Sequence, residues 1–269
     1  MAITALYAAA SGMKALDEQL NVTANNLANV NTIGFKGSRT NFEDLLYLIK
    51  QQPGLKNADD RPLPHGILVG LGARVSGTQL NFQQGSPDSS GRALDLMIEG
   101  DGFFRVQYTE GGQEVTAYTR AGNFTLNAQG EIVLGNSLGS RLDPPITIPQ
   151  TATEIQVSPN GVVQYREAGQ PNLTEAGQIQ LSRFVNPEGL RQLGKNLYLQ
   201  TDASGDPIDA NPGEQGTGVI LSGHTEMSNV DPVRELVQLI FTQRGFELNA
   251  QSIKSADESL QTVANLKRY

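Results

Sequence analysis

An α+β protein, with a helix at each end of the chain and an all-β region between them, is what the sequence predicts. Three observations carry this. Apolar side chains recur at alternating three- and four-residue steps over residues 3–30 and again over 233–266. The chain between loses that period and breaks into short apolar runs. Gly 29 and Pro 13 among 269 residues signal many turns.

The first helical stripe runs Ile3, Leu6, Ala10, Met13, Asp17, Leu20, Ala24, Leu27, with one Asp where an apolar residue is expected. The second runs Leu236, Leu239, Gln243, Phe246, Ala250, Ile253, Asp257, Leu260, Ala264, with similar polar interruptions. Both stripes are narrow and suit a partner helix, and at 1.5 Å per residue each helix would span on the order of 45 Å, so the two ends match in length. The expectation is a coiled-coil-like stalk built from both termini. A lone two-helix stalk is marginally stable, because helices in water gain most of their stability from packing. More copies of the same stalk would supply that packing.

Residues 50–75 show little regular pattern, with Asp59-Asp60-Arg61-Pro62 polar and Gly66, Gly70 and Gly72 interrupting an apolar run. Taken alone this is a loop longer than compact domains usually carry. From residue 94 strand-like runs follow: 94–98, 103–108, 114–119, 123–126 and 131–134, separated by turn signals at Asp101-Gly102, Gly111-Gly112, Ala121-Gly122 and Gln129-Gly130. They read as a β meander. Runs at 146–148, 154–157, 162–165, 178–184 and 196–200 continue it, with Pro159-Asn160-Gly161 a hairpin turn.

Net charge is −8 and the 20 Lys and Arg are scattered, which argues against a nucleic-acid partner. Cys is absent, so disulfides, thiolate metal sites and Cys nucleophiles are all excluded. No run approaches the roughly 20 apolar residues of a membrane span. The N-terminus has no Lys or Arg before Lys14 and its apolar residues form a stripe, so it reads as mature structure rather than a secretory signal.

Gly100-Asp101-Gly102 lacks the third glycine and following helix of a dinucleotide loop and reads as a tight turn. Asp202 to Asp209 spaces oxygen ligands like a calcium loop, but Pro207 stands at the sixth place and no Glu arrives at the twelfth. It reads as an acidic turn. His65 and His224 are far apart in sequence and read as surface or packing histidines. No cofactor, metal or catalytic residue is expected.

Asn25, Asn26, Asn29 and Asn31 fall within seven positions where an isolated helix would prefer Ala, Glu or Lys, each costing up to about 0.7 kcal/mol of helix propensity. Side-chain amides both donate and accept, so such a row can bond neighbouring chains and fix register. A frayed helix end is the plain alternative. Gly34 supplies a helix stop.

The segment Thr23 to Lys36 resembles the N-terminal signature of the bacterial flagellar axial proteins, the rod and hook subunits: Ala-Asn-Asn-x-Ala-Asn and then a Thr-x-Gly-Phe/Tyr-Lys tail. Ser228-Asn229-Val230 and Gln243-Arg244-Gly245-Phe246-Glu247-Leu248-Asn249 are similar to the family's C-terminal blocks, with Phe246 where Tyr is usual. Residues 94–104 and 118–124 resemble blocks of its β domain. Phe42 to Tyr47, Gln52-Pro53-Gly54 and Leu63 to Val75 look most like the distal rod subunits of that family.

The resemblance implies a structural subunit, not an enzyme. It would comprise a stalk helix at 1–34, an extended linking arm at 35–75, a β domain at 76–228 and a second stalk helix at 229–269. Helical self-assembly would build the distal rod across the periplasm, a shaft transmitting torque, with stalks inside and β domains outside. Implied partners are further copies, other rod proteins, hook-side axial proteins, periplasmic and outer-membrane ring proteins and the flagellar type III export apparatus. The expected self-assembly interface is Leu20, Asn25, Asn26, Leu27, Asn29, Asn31, Phe35, Phe246, Ile253 and Leu260. Rival readings are a proximal rod or hook subunit, against which the 50–75 stretch speaks, an extracellular β-rich adhesin or binding module, and a periplasmic hydrolase.

Overall fold

The computed structural model describes residues 2–54, 64–110 and 113–266. The Gly111-Gly112 turn, the 55–63 part of the arm and the Ile3 side chain lie outside the described residues. The chain divides into two compact units, the first made of Met1–Ala28, Ser38–Leu80 and Asp231–Tyr269, the second of Asn29–Gly37 and Asn81–Val230. It therefore passes between them four times, at 28/29, 37/38, 80/81 and 230/231.

Unit 1 holds helix α1, Ala2–Ala28, and helix α2, Pro232–Leu266. Asp231 caps α2: its Oδ1 accepts the amides of Val233 at 2.9 Å and Arg234 at 3.3 Å, and Pro232 fits the first helical position. Helix α1 stops at Ala28, earlier than the expected 34. Asn29-Val30-Asn31-Thr32 are weak helix formers, and here Thr32 donates through its hydroxyl to Asn29 Oδ1 (3.1 Å) and through its amide to the Asn29 carbonyl (3.1 Å) in a turn.

The two helices pack antiparallel, as three contacts at falling α2 positions show. A Cβ on Gly12 would lie 3.3 Å from Asn249 Nδ2, a Cβ on Gly245 would lie 3.1 Å from Leu16 Cδ1, and Asn26 Nδ2 donates to Glu235 Oε1 at 3.2 Å. Small residues thus let the helices approach closely. The seam departs from the expected stripes: Ala10, Asp17 and Ala24 of α1 are exposed, as are Leu236, Gln243, Phe246, Asp257, Leu260 and Ala264 of α2. Glycines give no apolar signal in a sequence, which hid their place in the contact.

Between the helices in sequence lies a two-stranded antiparallel ribbon. Ser38–Asp44 pairs with Ala73–Leu80, from Ser38↔Leu80 to Asp44↔Ala73, and Tyr47–Gln51 pairs with Ile67–Gly70. Leu45 N–H to the Gly72 carbonyl (2.9 Å) and Leu71 N–H to the Leu46 carbonyl (3.3 Å) join the two ladders. The patternless arm is therefore regular structure as far as it is described, and it reaches Leu80. Its pairing partners stand from 16 positions apart (Gln51↔Ile67) to 42 (Ser38↔Leu80), beyond the range of local periodicity.

Unit 2 is built on a nine-stranded sheet whose main path runs Arg191–Gly194, Leu197–Leu199, Gln113–Thr119, Phe103–Glu110, Arg141–Leu142, Ile132–Leu134, Phe124–Leu126. Leu181–Arg183 also pairs with the start of Phe103–Glu110 and carries Ile208–Ala210 on its other side. The meander expectation holds for successive hairpins and fails overall, because strands late in the chain return to flank the central hairpin. Ala152–Val157, Val162–Glu167 and Thr174–Gln178 form a separate three-stranded sheet, and Leu96–Glu99 pairs with Val219–Ser222. The 146–148 run is extended and makes one isolated bridge, Glu131↔Thr147, rather than a strand.

The main hydrophobic core lies in unit 2. Leu96, Ile98, Phe104, Val106, Phe124, Ile132 and Leu134 are fully buried within it, and the rings of Phe104 and Phe124 meet edge to face at 5.1 Å. A second aromatic layer joins Phe82, Phe103, Tyr118, Phe184 and Tyr198, with Tyr118 and Phe184 4.7 Å apart.

Candidate assembly surface and chain-crossing joint

Two features of the molecule are candidates for function, one in each unit. In unit 2 the signature blocks from the two ends of the chain meet. Lys36 and Glu226 are both 0% exposed, and Lys36 Nζ donates to Glu226 Oε1 at 2.6 Å and to the Gln83 carbonyl at 2.8 Å. Glu226 Oε1 also accepts the Gly85 amide at 2.9 Å, and its main-chain carbonyl accepts the Gly34 amide at 2.8 Å. Arg120, 3% exposed, lies 3.7 Å from Glu226 Oε2, donates to the Gly100 carbonyl at 2.8 Å and sits over the Phe103 ring.

Burial pushes the Lys36 ammonium below its ordinary value against the pull of Glu226, and Arg120 adds to the lowering. Arg120 is lowered first by burial as well. Asn229 completes the cluster: its Oδ1 accepts the Gly37 amide at 2.9 Å, and its Nδ2 donates to the carbonyls of Asn81 (2.8 Å) and Gln83 (3.0 Å). Gly34 has φ +67°, and a Cβ there would lie 2.5 Å from the Ala121 nitrogen, so the turn admits no larger residue.

The sequence alone places Lys36, Arg120 and Asn229 inside the family-like segments with no role for any of them, and it gives none to Glu226. The available signal was a charge set among glycines and apolar residues, the Gly-Phe-Lys tail above all.

In unit 1 the notable feature is apolar surface left uncovered. On the ribbon, Leu46 (84% exposed), Tyr47, Leu48, Ile49, Ile67 and Leu68 face solvent, and on α2 so do Val233, Leu236, Val237, Ile240, Phe241 (68%), Phe246 and Leu248. Singly exposed apolar residues are ordinary; runs of this kind mark interaction surfaces.

The expected interface residues divide between the units. Leu20, Leu27 and Ile253 are half-buried in unit 1, Phe246 and Leu260 exposed; Asn29 and Phe35 are half-buried in unit 2, where Asn31 is exposed. Asn25 is exposed on α1. Asn26 is buried, and its amide works inside unit 1: Oδ1 accepts the Ser38 amide at 2.9 Å, and Nδ2 donates to the Ser38 carbonyl at 2.8 Å as well as to Glu235. Burial pushes the Glu235 carboxyl up, the Asn26 bond pulls it down, and Asp231 adds to the rise.

Among the described residues no group of three His, Cys, Asp or Glu is placed to hold a metal, and no helix is long and apolar enough to cross a membrane. Gly100 and Gly102 have φ +108° and +135°, as in a turn. In the acidic segment Gln200 Nε2 donates to Asp206 Oδ1 at 2.9 Å, and His224 Nδ1 lies 3.0 Å from the Ser222 carbonyl.

Comparison with known proteins agrees along the whole chain. Residues 6–36 match the family described as "Flagella basal body rod protein", 97–165 the "Flagellar hook protein FlgE/F/G D1 domain" and 221–266 the "Flagellar basal body rod FlgEFG protein C-terminal". The chain is 44% identical to the flagellar basal-body rod protein FlgG of Caulobacter vibrioides over 264 residues, covering 98% of this chain and 99% of that one. It is 38% identical to FlgG of Bacillus subtilis, covering 99% and 100%. Its identity to FlgF, the basal-body rod protein of Caulobacter vibrioides, is 32% with 94% of each covered. At such identity over such coverage, with matched segments at both termini and in the β region, the chain belongs to the flagellar basal-body rod protein family.

Proposed function

We propose that this protein is a structural, non-enzymatic subunit that self-assembles helically into the distal rod of the bacterial flagellar basal body, spanning the periplasm. Identity to FlgG relatives at 38–44% against 32% to a FlgF relative favours the distal subunit over another rod protein. The observation that carries the assembly mechanism is the uncovered apolar surface of the ribbon and α2. Contacts between that surface and an unlike face of the next copy, repeated without closing, give a helical filament.

In this reading the antiparallel α1–α2 pair is the coiled-coil-like stalk, stabilised by neighbouring stalks. Leu20, Asn25, Leu27, Asn29, Asn31, Phe35, Phe246, Ile253 and Leu260 belong to the subunit contacts, joined by Leu46, Ile240 and Phe241. Asn26 acts at one remove, by holding Ser38 and Glu235 in place. Other rod and basal-body components are the neighbouring partners. Ring proteins outside the shaft and the export apparatus that delivers the subunit complete the list.

Replacing Phe241 by Ser tests the reading. The isolated subunit should keep its unfolding free energy within about 0.5 kcal/mol, since an exposed side chain makes few contacts to lose. Basal bodies isolated from cells carrying the variant should lack the distal rod in electron micrographs. Rods of normal length in that variant would overturn the role of this surface.

A further inference from the structure

The four chain passages meet unit 2 at Asn29, Gly37, Asn81 and Val230, so any force carried along the chain between the units enters at these points. One side chain joins most of them. Asn229 adjoins Val230, accepts the Gly37 amide and donates to the Asn81 carbonyl, while the Asn81 amide donates to the Gly37 carbonyl at 2.8 Å and the Asn229 amide to the Phe35 carbonyl at 3.4 Å. One residue in from Gly37, Lys36 is fixed to Glu226 and Gln83, and Glu226 in turn holds Gly34 and Gly85.

A buried ion pair is a weak source of stability, because desolvation offsets most of its attraction and apolar replacements are often neutral. What it supplies is direction: short bonds to named atoms on three separate stretches of chain, 34–36, 83–85 and 226, where an apolar contact would tolerate sliding. We infer that Asn229 and the buried Lys36–Glu226 pair make a stiff joint, which obliges the segments 34–37, 81–85 and 226–230 to move as one body and so passes torque along the chain between the two units. The torque part of this rests on the rod reading above; the stiffness part does not.

Native-state hydrogen exchange on the full-length protein tests the stiffness. The amides of Gly34, Gly37, Asn81, Gly85 and Asn229 are all bonded within the joint. In the wild type they should exchange through one shared opening, with the same denaturant dependence. In Asn229→Ala the Gly37 and Asn81 amides should exchange about fivefold faster or more, out of step with Gly34 and Gly85. The triple variant Lys36→Met/Arg120→Met/Glu226→Met removes all three buried charges together, and there Gly85 should separate from Gly37. Unrelated exchange rates in the wild type, or amides that stay in step in both variants, would overturn the joint.

The torque is tested in cells whose own rod gene is replaced. With Asn229→Ala, isolated basal bodies should carry rods of normal length, and swimming speed should match the wild type in dilute buffer and fall clearly below it in a viscous medium. Equal swimming under load with normal rods would overturn the mechanical role and leave the rod reading intact. Failure of the wild-type gene to restore rods to a strain lacking its distal subunit would sink the rod reading and leave the exchange result standing.

Discussion

The two units dispose of their apolar side chains in opposite ways. Unit 2 gathers Leu96, Ile98, Phe104, Phe124, Ile132 and Leu134 from strands spread over its length into one interior, and closes a second aromatic layer around Phe103. Unit 1 brings together two helices and a ribbon whose contact runs through Gly12, Leu16, Gly245 and Asn249, and leaves Phe241, Ile240 and Leu46 outside. The first arrangement is complete in one chain. In the proposed rod the second becomes complete only among several copies.

The largest expected effect that would break this contrast lies in the core. Phe104→Ala should destabilise unit 2 by about 3–5 kcal/mol through lost contacts and a residual cavity, measured by urea unfolding of the purified protein. A loss no greater than that of Phe241→Ser would erase the distinction between the units. Next in size is Gly34→Ala. A left-handed turn and a clash with the Ala121 backbone should together cost about 2 kcal/mol or more, visible as a lowered thermal midpoint, and an unchanged midpoint would show that the joint can shift to admit a methyl group.

The smallest effect sharpens the comparison from the other side. The Glu235 carboxyl in folded unit 1 titrates above its ordinary 4.5, chiefly through burial. Over the window just above 4.5 the folded state therefore binds more protons than the unfolded one. Stability is favoured below that window and declines as pH rises through the folded value. The group is largely solvent-screened, so the change should be no more than about 0.5 kcal/mol. It should vanish in Glu235→Gln when urea midpoints at acid and neutral pH are compared between the two proteins; an identical pH profile in the variant would assign the change to other groups.

The parts of the fold legible in the sequence were those written locally. Terminal helices announced themselves by period, and the α2 start is set by capping between near neighbours, Asp231 with Val233 and Arg234. Turn signals bounded the central hairpins. The ribbon was hidden, because Ser38 pairs with Leu80 across a gap that no window spans, and so was the return of Leu181–Arg183 and Leu197–Leu199 to the main sheet. At the candidate sites, the motif residues were visible and their work was not. Asn26 looked like a bridge to another chain and spends its amide on Ser38; Lys36 looked like the tail of a helix signature and lies buried against Glu226, 190 positions away. Such pairings come into view only when the two chain ends are brought together in space.

Leu46, standing 84% exposed on the ribbon, also bears on how the subunit behaves in a test tube. Identical copies, each carrying a formal charge of −8 at pH 7, repel one another at a distance, and that repulsion opposes association through such a patch. That repulsion reaches only about 10 Å at 0.1 M ionic strength and shortens as electrolyte is added. The transition from solitary molecules to clumps should therefore follow the ionic composition of the buffer before it follows heat.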